Sequence, residues 1–261
     1  MLPFIFLFFI FGLIIGSFLN VVVSRYNTKR TLAGRSACMS CATQLRWYEL
    51  VPLFSYFALR GRCRTCSTRI SMHYPFVELT TGLIFVGIFC KFQNIFLFNL
   101  PVFAVTFAFY AIVFSILIVI ASYDIKHKII PDMLAFLFGL FAFSGLFLFQ
   151  EGSLALHLPG IWDVLMGIVV ALPFAIFWLV SRGAWMGLGD AKLTIGLAWL
   201  LGLSQVLSGI VLAFWSGAIV GVLLIFFTKK HGMKSEIPFA PFLVLGAVLA
   251  FLFEIHIFAM M

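Results

Sequence analysis

Pro101-Val-Phe-Ala-Val-Thr-Phe-Ala-Phe-Tyr-Ala-Ile-Val-Phe-Ser-Ile-Leu-Ile-Val-Ile-Ala-Ser-Tyr123 contains no charged residue. As a helix rising about 1.5 Å per residue it covers about 34 Å, enough for a bilayer core of about 30 Å. It reads as a transmembrane helix. Outward from it, seven further apolar segments lie at roughly 3–23, 76–91, 131–149, 163–182, 189–203, 205–228 and 238–259. The segment 189–203 is short and rich in Gly. The expected fold is an all-α polytopic membrane protein of about eight transmembrane helices.

Composition agrees. Hydrophobic residues make up 64% of the 261 and charged ones 10%, and the mean hydropathy is +1.17. A soluble domain is nearer half apolar and a quarter charged, so lipid is the expected solvent. The 17 basic residues against 9 acidic ones are sorted along the chain. Nine of the 17 fall between Arg25 and Arg69, opposed there only by Glu49. A basic stretch between spans suits cytoplasmic retention and anionic lipid better than nucleic acid.

The first span carries no positive n-region and no small-residue cleavage pattern, so no removable signal is expected. With eight spans and the N-terminus outside, the inside loops are 24–75, 124–130, 183–190 and 229–237. They, or the first turns of adjoining spans, hold every Lys and Arg except Lys91, 16 of the 17. That is the asymmetry of the positive-inside rule. The expected divisions are a first span over 1–23, a cytoplasmic insert over 24–75 and a transmembrane core over 76–261. No internal repeat stands out.

Within the insert, Cys38-Met39-Ser40-Cys41 and Cys63-Arg64-Thr65-Cys66 are separated by 21 residues. Paired C-x-x-C motifs at this separation are a zinc-ribbon signal. Four thiolates satisfy tetrahedral Zn²⁺ with no open position, so the metal would be structural. Two disulfides, disfavoured in a cytoplasmic loop, or unpaired structural thiols are the alternatives. The insert has few apolar residues for a core, so a metal staple is reasonable. Cys90, alone in a span, reads as packing.

Charged residues at span edges are the next informative class. Asp124 ends the third span in Ser122-Tyr123-Asp124-Ile125-Lys126-His127-Lys128, and Asp190 opens the sixth in Gly187-Leu188-Gly189-Asp190-Ala191-Lys192. Two carboxylates at one depth can share a proton: one deprotonates water while the other polarises a scissile carbonyl. The Gly-x-Gly before Asp190 allows close backbone approach, as an extended substrate requires. Other roles stay open: Asp190 as a helix cap, Asp124 paired with Lys126 or Lys128, or the two far apart. Asp132, after Pro131 at a helix start, fits a structural role. Helix ends suggest that Asp190 is the ionised base and Asp124 holds the proton.

These segments together resemble type IV prepilin peptidases, membrane aspartic proteases of the Gly-x-Gly-Asp kind. Further stretches carry the resemblance: Gly16-Ser17-Phe18-Leu19-Asn20-Val21-Val22, Leu59-Arg60-Gly61-Arg62-Cys63, Tyr74-Pro75-Phe76-Val77-Glu78-Leu79 and Ile237-Pro238-Phe239-Ala240-Pro241-Phe242. Met39 and His73 depart from residues usual in the family, Pro and Arg. The resemblance implies that Asp124 and Asp190 are the catalytic pair. It implies leader cleavage of pilin-like precursors at the cytoplasmic face of a bacterial inner membrane, for pili, type II secretion or competence. It also implies N-methylation of the new terminus from S-adenosylmethionine. No Gly-rich nucleotide loop marks a donor site. Glu49 and Glu78 are the carboxylates in or beside the insert that could hold a cationic donor or an amine. A peptidase with a merely structural insert and a non-enzymatic proton-coupled carrier are the competing readings.

Overall fold

The computed structural model describes residues 1–257 apart from 29–30, 33, 151–152 and 228–236. The expected inside loop 229–237 therefore lies almost wholly outside the described residues. The chain divides into two compact units, Met1–Val119 and Ile120–Met261. Compactness thus places the second span with the first rather than with the later ones.

The first unit opens with α1, Leu2–Arg25, with a Pro in its first turn where the missing N–H is harmless. The insert holds a single 3-10 turn, Trp47–Leu50, and the short helix α2, Phe54–Ala58. Helix α3, His73–Lys91, then packs along α1. The contact is close because the Gly12-x-x-x-Gly16 face of α1 has no side chains. A Cβ at Gly12 would sit 2.7 Å from Gly82 Cα, and one at Gly16 2.8 Å from Glu78 Cα. Small residues allowing backbone approach are the usual device for helix pairs in lipid, where no hydrophobic force drives association. After α4, Gln93–Phe98, comes α5, Leu100–His127, which starts in this unit. Phe8 stacks on Phe89 at 4.6 Å and leans on Phe107 at 4.7 Å, and Phe96 meets Phe103 edge-on at 5.0 Å. Such offset and edge contacts between rings add to plain apolar burial.

The second unit holds the end of α5 and α6, Asp132–Leu148. A two-residue hairpin follows, β1 Phe149–Gln150 and β2 Ser153–Leu154, which the apolar pattern did not anticipate. Next come α7, Ile161–Ser181, α8, Leu188–Phe227, and α9, Ala240–Phe253. Helix α8 is the hub, packing against α6, α7 and α9. It is really two helices, because Gly202 leaves helical geometry at φ 72°, ψ 169°. That left-handed backbone suits Gly alone among the residues. The break falls beside the expected boundary between the segments 189–203 and 205–228.

Among the described residues, five helices are long and apolar enough to cross a membrane, and α6 and α9 are shorter apolar helices. With α8 counted as two, the eight expected segments each have a helix. Large apolar side chains such as Phe6, Ile14, Phe136 and Phe226 point outward. This surface suits a multi-pass protein with hydrocarbon as its outer solvent.

Candidate functional site

In the insert, the four sulfurs Cys38, Cys41, Cys63 and Cys66 lie within 4.8 Å of one another. The Cys38–Cys66 and Cys41–Cys63 separations are 3.8 and 4.0 Å. Zn–S bonds of about 2.3 Å in a tetrahedron set their sulfurs about 3.8 Å apart, whereas a disulfide needs about 2.05 Å. All four are free thiols, so the disulfide alternative falls. The donor set fits a tetrahedral metal, and the cluster could hold one.

The two knuckles repeat each other. Thr43 O accepts from Cys38 N at 3.0 Å and Cys38 O from Ala42 N at 2.9 Å; Thr68 O accepts from Cys63 N and Cys63 O from Ser67 N, both at 2.9 Å. Ala42 and Ser67 both take positive φ, 56° and 55°. The second sulfur of each pair lies 3.3 Å from a threonine hydroxyl, Cys41 from Thr43 and Cys66 from Thr68. That hydroxyl, with the Thr68 N–H, pulls the Cys66 thiol down to about 6, toward the thiolate that binds metal. An internal repeat, Cys-x-x-Cys-x-Thr, thus exists where none was expected; the paired Thr was its signal. Cys90 also differs from expectation: it is exposed rather than packed.

The aspartates lie in the second unit, and both are buried: Asp124 is 5% exposed and Asp190 7%. Charge on Asp124 is felt at Asp190, which puts the two buried carboxylates within electrostatic reach of each other. Asp124 sits in the last turn of α5, and its Oδ2 accepts the Ala240 N–H at 3.2 Å. Ala240 is the first residue of α9, whose N-terminus carries partial positive charge. Phe239, just before it, is fixed by Phe214 of α8 at 5.0 Å. Farther along, α9 and α8 touch backbone to backbone, since a Cβ at Gly246 would come 2.1 Å from Gly209 O.

Asp190 is the third residue of α8 rather than its cap, and its N–H donates to Gly187 O at 3.2 Å. The Gly-x-Gly motif has an internal use here. A Cβ at Gly189 would stand 2.8 Å from Ile130 Cβ, so that Gly admits the α5–α6 turn rather than leaving open space. Asp132 opens α6 and pairs with Lys192 Nζ at 2.6 Å on the exposed surface, the structural role expected of it. Ala240 contributes through its backbone, so no side-chain motif announced it.

Glu49 and Glu78, the carboxylates expected to hold a cationic donor or an amine, are in the first unit. Glu49 Oε2 accepts the Arg46 N–H at 2.7 Å, capping the 3-10 turn. Glu78, 8% exposed, accepts the Leu53 N–H on Oε2 at 2.8 Å, with the Ser17 hydroxyl against the same carboxylate. Both border one cavity of about 680 Å³.

Fold and sites together define a helical multi-pass membrane protein with one buried aspartate pair and one four-thiol module. Residues 10–92 match the Bacterial Peptidase A24 N-terminal domain, and residues 111–225 the Type IV leader peptidase family. The prepilin leader peptidase/N-methyltransferase of Bacillus subtilis is 30% identical over 248 residues, covering 94% of this chain and 92% of that protein. Its counterpart in Pseudomonas aeruginosa is 31% identical over 92% of this chain and 87% of the relative. That of Myxococcus xanthus is 34% identical over 87% of this chain; the match spans 65% of that longer relative. No solved structure matches. The chain belongs to the type IV leader peptidase family.

Proposed function

We propose that this chain cleaves the leader from pilin-like precursors with Asp124 and Asp190, and N-methylates the newly exposed terminus. The observation that carries the peptidase half is the pair itself: two buried carboxylates acting on each other in one helical unit. Two like charges within reach of each other in a buried site favour one shared proton, the arrangement that gives one base and one acid. We assign the base to Asp124. The Ala240 N–H and the N-terminus of α9 stabilise its charge. Asp190 then keeps the proton and donates a hydrogen bond to the scissile carbonyl. This reverses the assignment expected from the α5 C-terminus alone, because the carboxylate answers to the neighbouring helix as well as its own.

Asp124 takes a proton from water, the resulting hydroxide adds to the carbonyl, and the proton passes on to the leaving amine. Asp190 offsets charge on the carbonyl oxygen as it develops. Precursors are substrates that already lie partly in the membrane, which presents their leader junction at a helix-end site. We place that site at the cytoplasmic face with the N-terminus outside, on the basic-residue asymmetry. The metal in the insert is taken as structural Zn²⁺, since four thiolates leave no open position.

For the methyltransferase half, S-adenosylmethionine supplies a methyl on a sulfonium sulfur, which keeps the bonding electrons when the amine takes the methyl. The residues offered to hold it line the cavity of the first unit, with the Cys module as one wall. A proton carrier is less well supported. Asp163, a charge that a relay would need, accepts the Gly160 N–H on Oδ2 at 2.9 Å as a helix cap. The test is mass spectrometry of a pilin-like precursor incubated with the detergent-solubilised protein. Shortening by the leader and a gain of one methyl group are expected; full processing by Asp124→Asn or Asp190→Asn ends the peptidase assignment.

A further inference from the structure

The first unit carries a polar stripe where an apolar helix face would be expected. Ser17, Asn20 and Ser24 are spaced three and four apart on α1, hence on one face. Tyr74 and Glu78 are four apart on α3. All five line the cavity of about 680 Å³, whose remaining walls come from the insert. That volume lies within the roughly 300–1,000 Å³ typical of small-molecule sites. Polar groups so placed in apolar spans are costly unless they have a use.

Asn20 is the telling residue. It is 3% exposed. Its Nδ2 donates to Tyr74 O at 3.0 Å, but its Oδ1 has no partner. Buried acceptors are nearly always satisfied, because leaving one unpaired forfeits its hydration for nothing. Glu78 borders the same cavity. One unfilled acceptor and one anion in the same wall call for a cation that donates hydrogen bonds. Arg35 and Arg69 also line the cavity, and a guanidinium complements a carboxylate. The rings of Tyr56 and Tyr74 add flat apolar surface. A ligand that carries an ammonium, a carboxylate and a flat aromatic ring finds a partner for each among these groups.

Building on the methyltransferase reading, we propose that this cavity binds S-adenosylmethionine, with Glu78 and Asn20 Oδ1 holding the α-ammonium of its methionyl group. Leu53 gives Glu78 a second, structural duty. Its backbone sits at φ 57° and donates its N–H to Glu78 Oε2, so the carboxylate also ties the insert to α3. The tie needs an acceptor oxygen, not a charge, and it makes no use of Asn20. Glu78→Gln therefore keeps the tie and removes the anion, while Asn20→Leu removes the unpaired acceptor and leaves the tie untouched.

The test is equilibrium binding of radiolabelled S-adenosylmethionine to the full-length protein in detergent, with metal content measured on each sample. Wild type is expected to bind, and Glu78→Gln and Asn20→Leu to bind about tenfold more weakly or worse with metal retained. If wild type binds and methylates but both variants bind equally well, this site is overturned and the methyltransferase reading survives. If wild type neither binds the donor nor methylates, that reading falls and the site with it. Should Glu78→Gln lose its metal, Asn20→Leu decides: unchanged affinity overturns the site, and weakened affinity sustains it.

Discussion

The insert and the aspartate pair are built by opposite means. Among its described residues the insert has little regular structure: one 3-10 turn, one five-residue helix and two isolated bridges, Ala37 with Gln44 and Arg62 with Arg69. Its organising feature is a repeated side-chain motif that converges four sulfurs. The aspartate pair is set instead by helix ends and glycine contacts in an apolar bundle, and its nearest support is a backbone N–H. One site is written in side chains that converge as a metal-ligand set. The other is written in packing and stands on the bundle. Damage to the first should therefore be chemical and local, and damage to the second geometric.

That contrast can be tested in order of expected effect. Asp124→Asn and Asp190→Asn keep side-chain shape but remove the acid–base pair. Leader cleavage should fall by about 10²–10⁴-fold or more, read by single-turnover assay. Retained cleavage in both would put the chemistry elsewhere. Next, Cys63→Ser or stripping with a strong chelator should unfold the insert, since structural zinc in small modules supplies about 10–16 kcal/mol of binding free energy. Donor binding should vanish, while cleavage should change by less than about tenfold if the aspartate site stands on its own bundle. Equal loss of both activities would dissolve the distinction between the two regions.

A third perturbation attacks packing. Gly246→Ala pushes a methyl group into Gly209 O, so α9 must shift away from α8. Overpacking of this kind destabilises by about 1–3 kcal/mol. Because α9 presents Ala240 N–H to Asp124, cleavage should drop while metal content stays at the wild-type level. The smallest effect is expected from Lys192→Ala. Its pairing with Asp132 is exposed, and such ion pairs are worth about 0–1 kcal/mol. A thermal melt should barely move, and a large loss of activity would show that Lys192 belongs to the site.

What could be read from the sequence follows the same division. The spans were legible because hydrocarbon demands unbroken apolar runs, and even the Gly202 break fell near an expected boundary. The cysteines were legible because metal chemistry needs fixed residue types at fixed spacing. The pair Asp124 and Asp190 stood out by charge at span edges. Three things were not visible. Ala240 acts through a backbone group that any residue except Pro would supply. Gly189 serves Ile130, a contact across a turn that spacing does not reveal. The β1–β2 hairpin is two residues per strand, below what alternation can signal. Asn20 was noted only within a motif; its meaning lies in an unpaired oxygen, which requires coordinates.

The central claim is that cleavage belongs to the aspartate pair alone and methylation to the other unit. The direct measurement gives Asp190→Asn both an intact precursor and a precursor already freed of its leader, with S-adenosylmethionine, and weighs the products. The expected result is no shortening of the first and one added methyl on the second. Shortening of the intact precursor by this variant, or failure to methylate the freed one despite wild-type donor binding, would contradict the account.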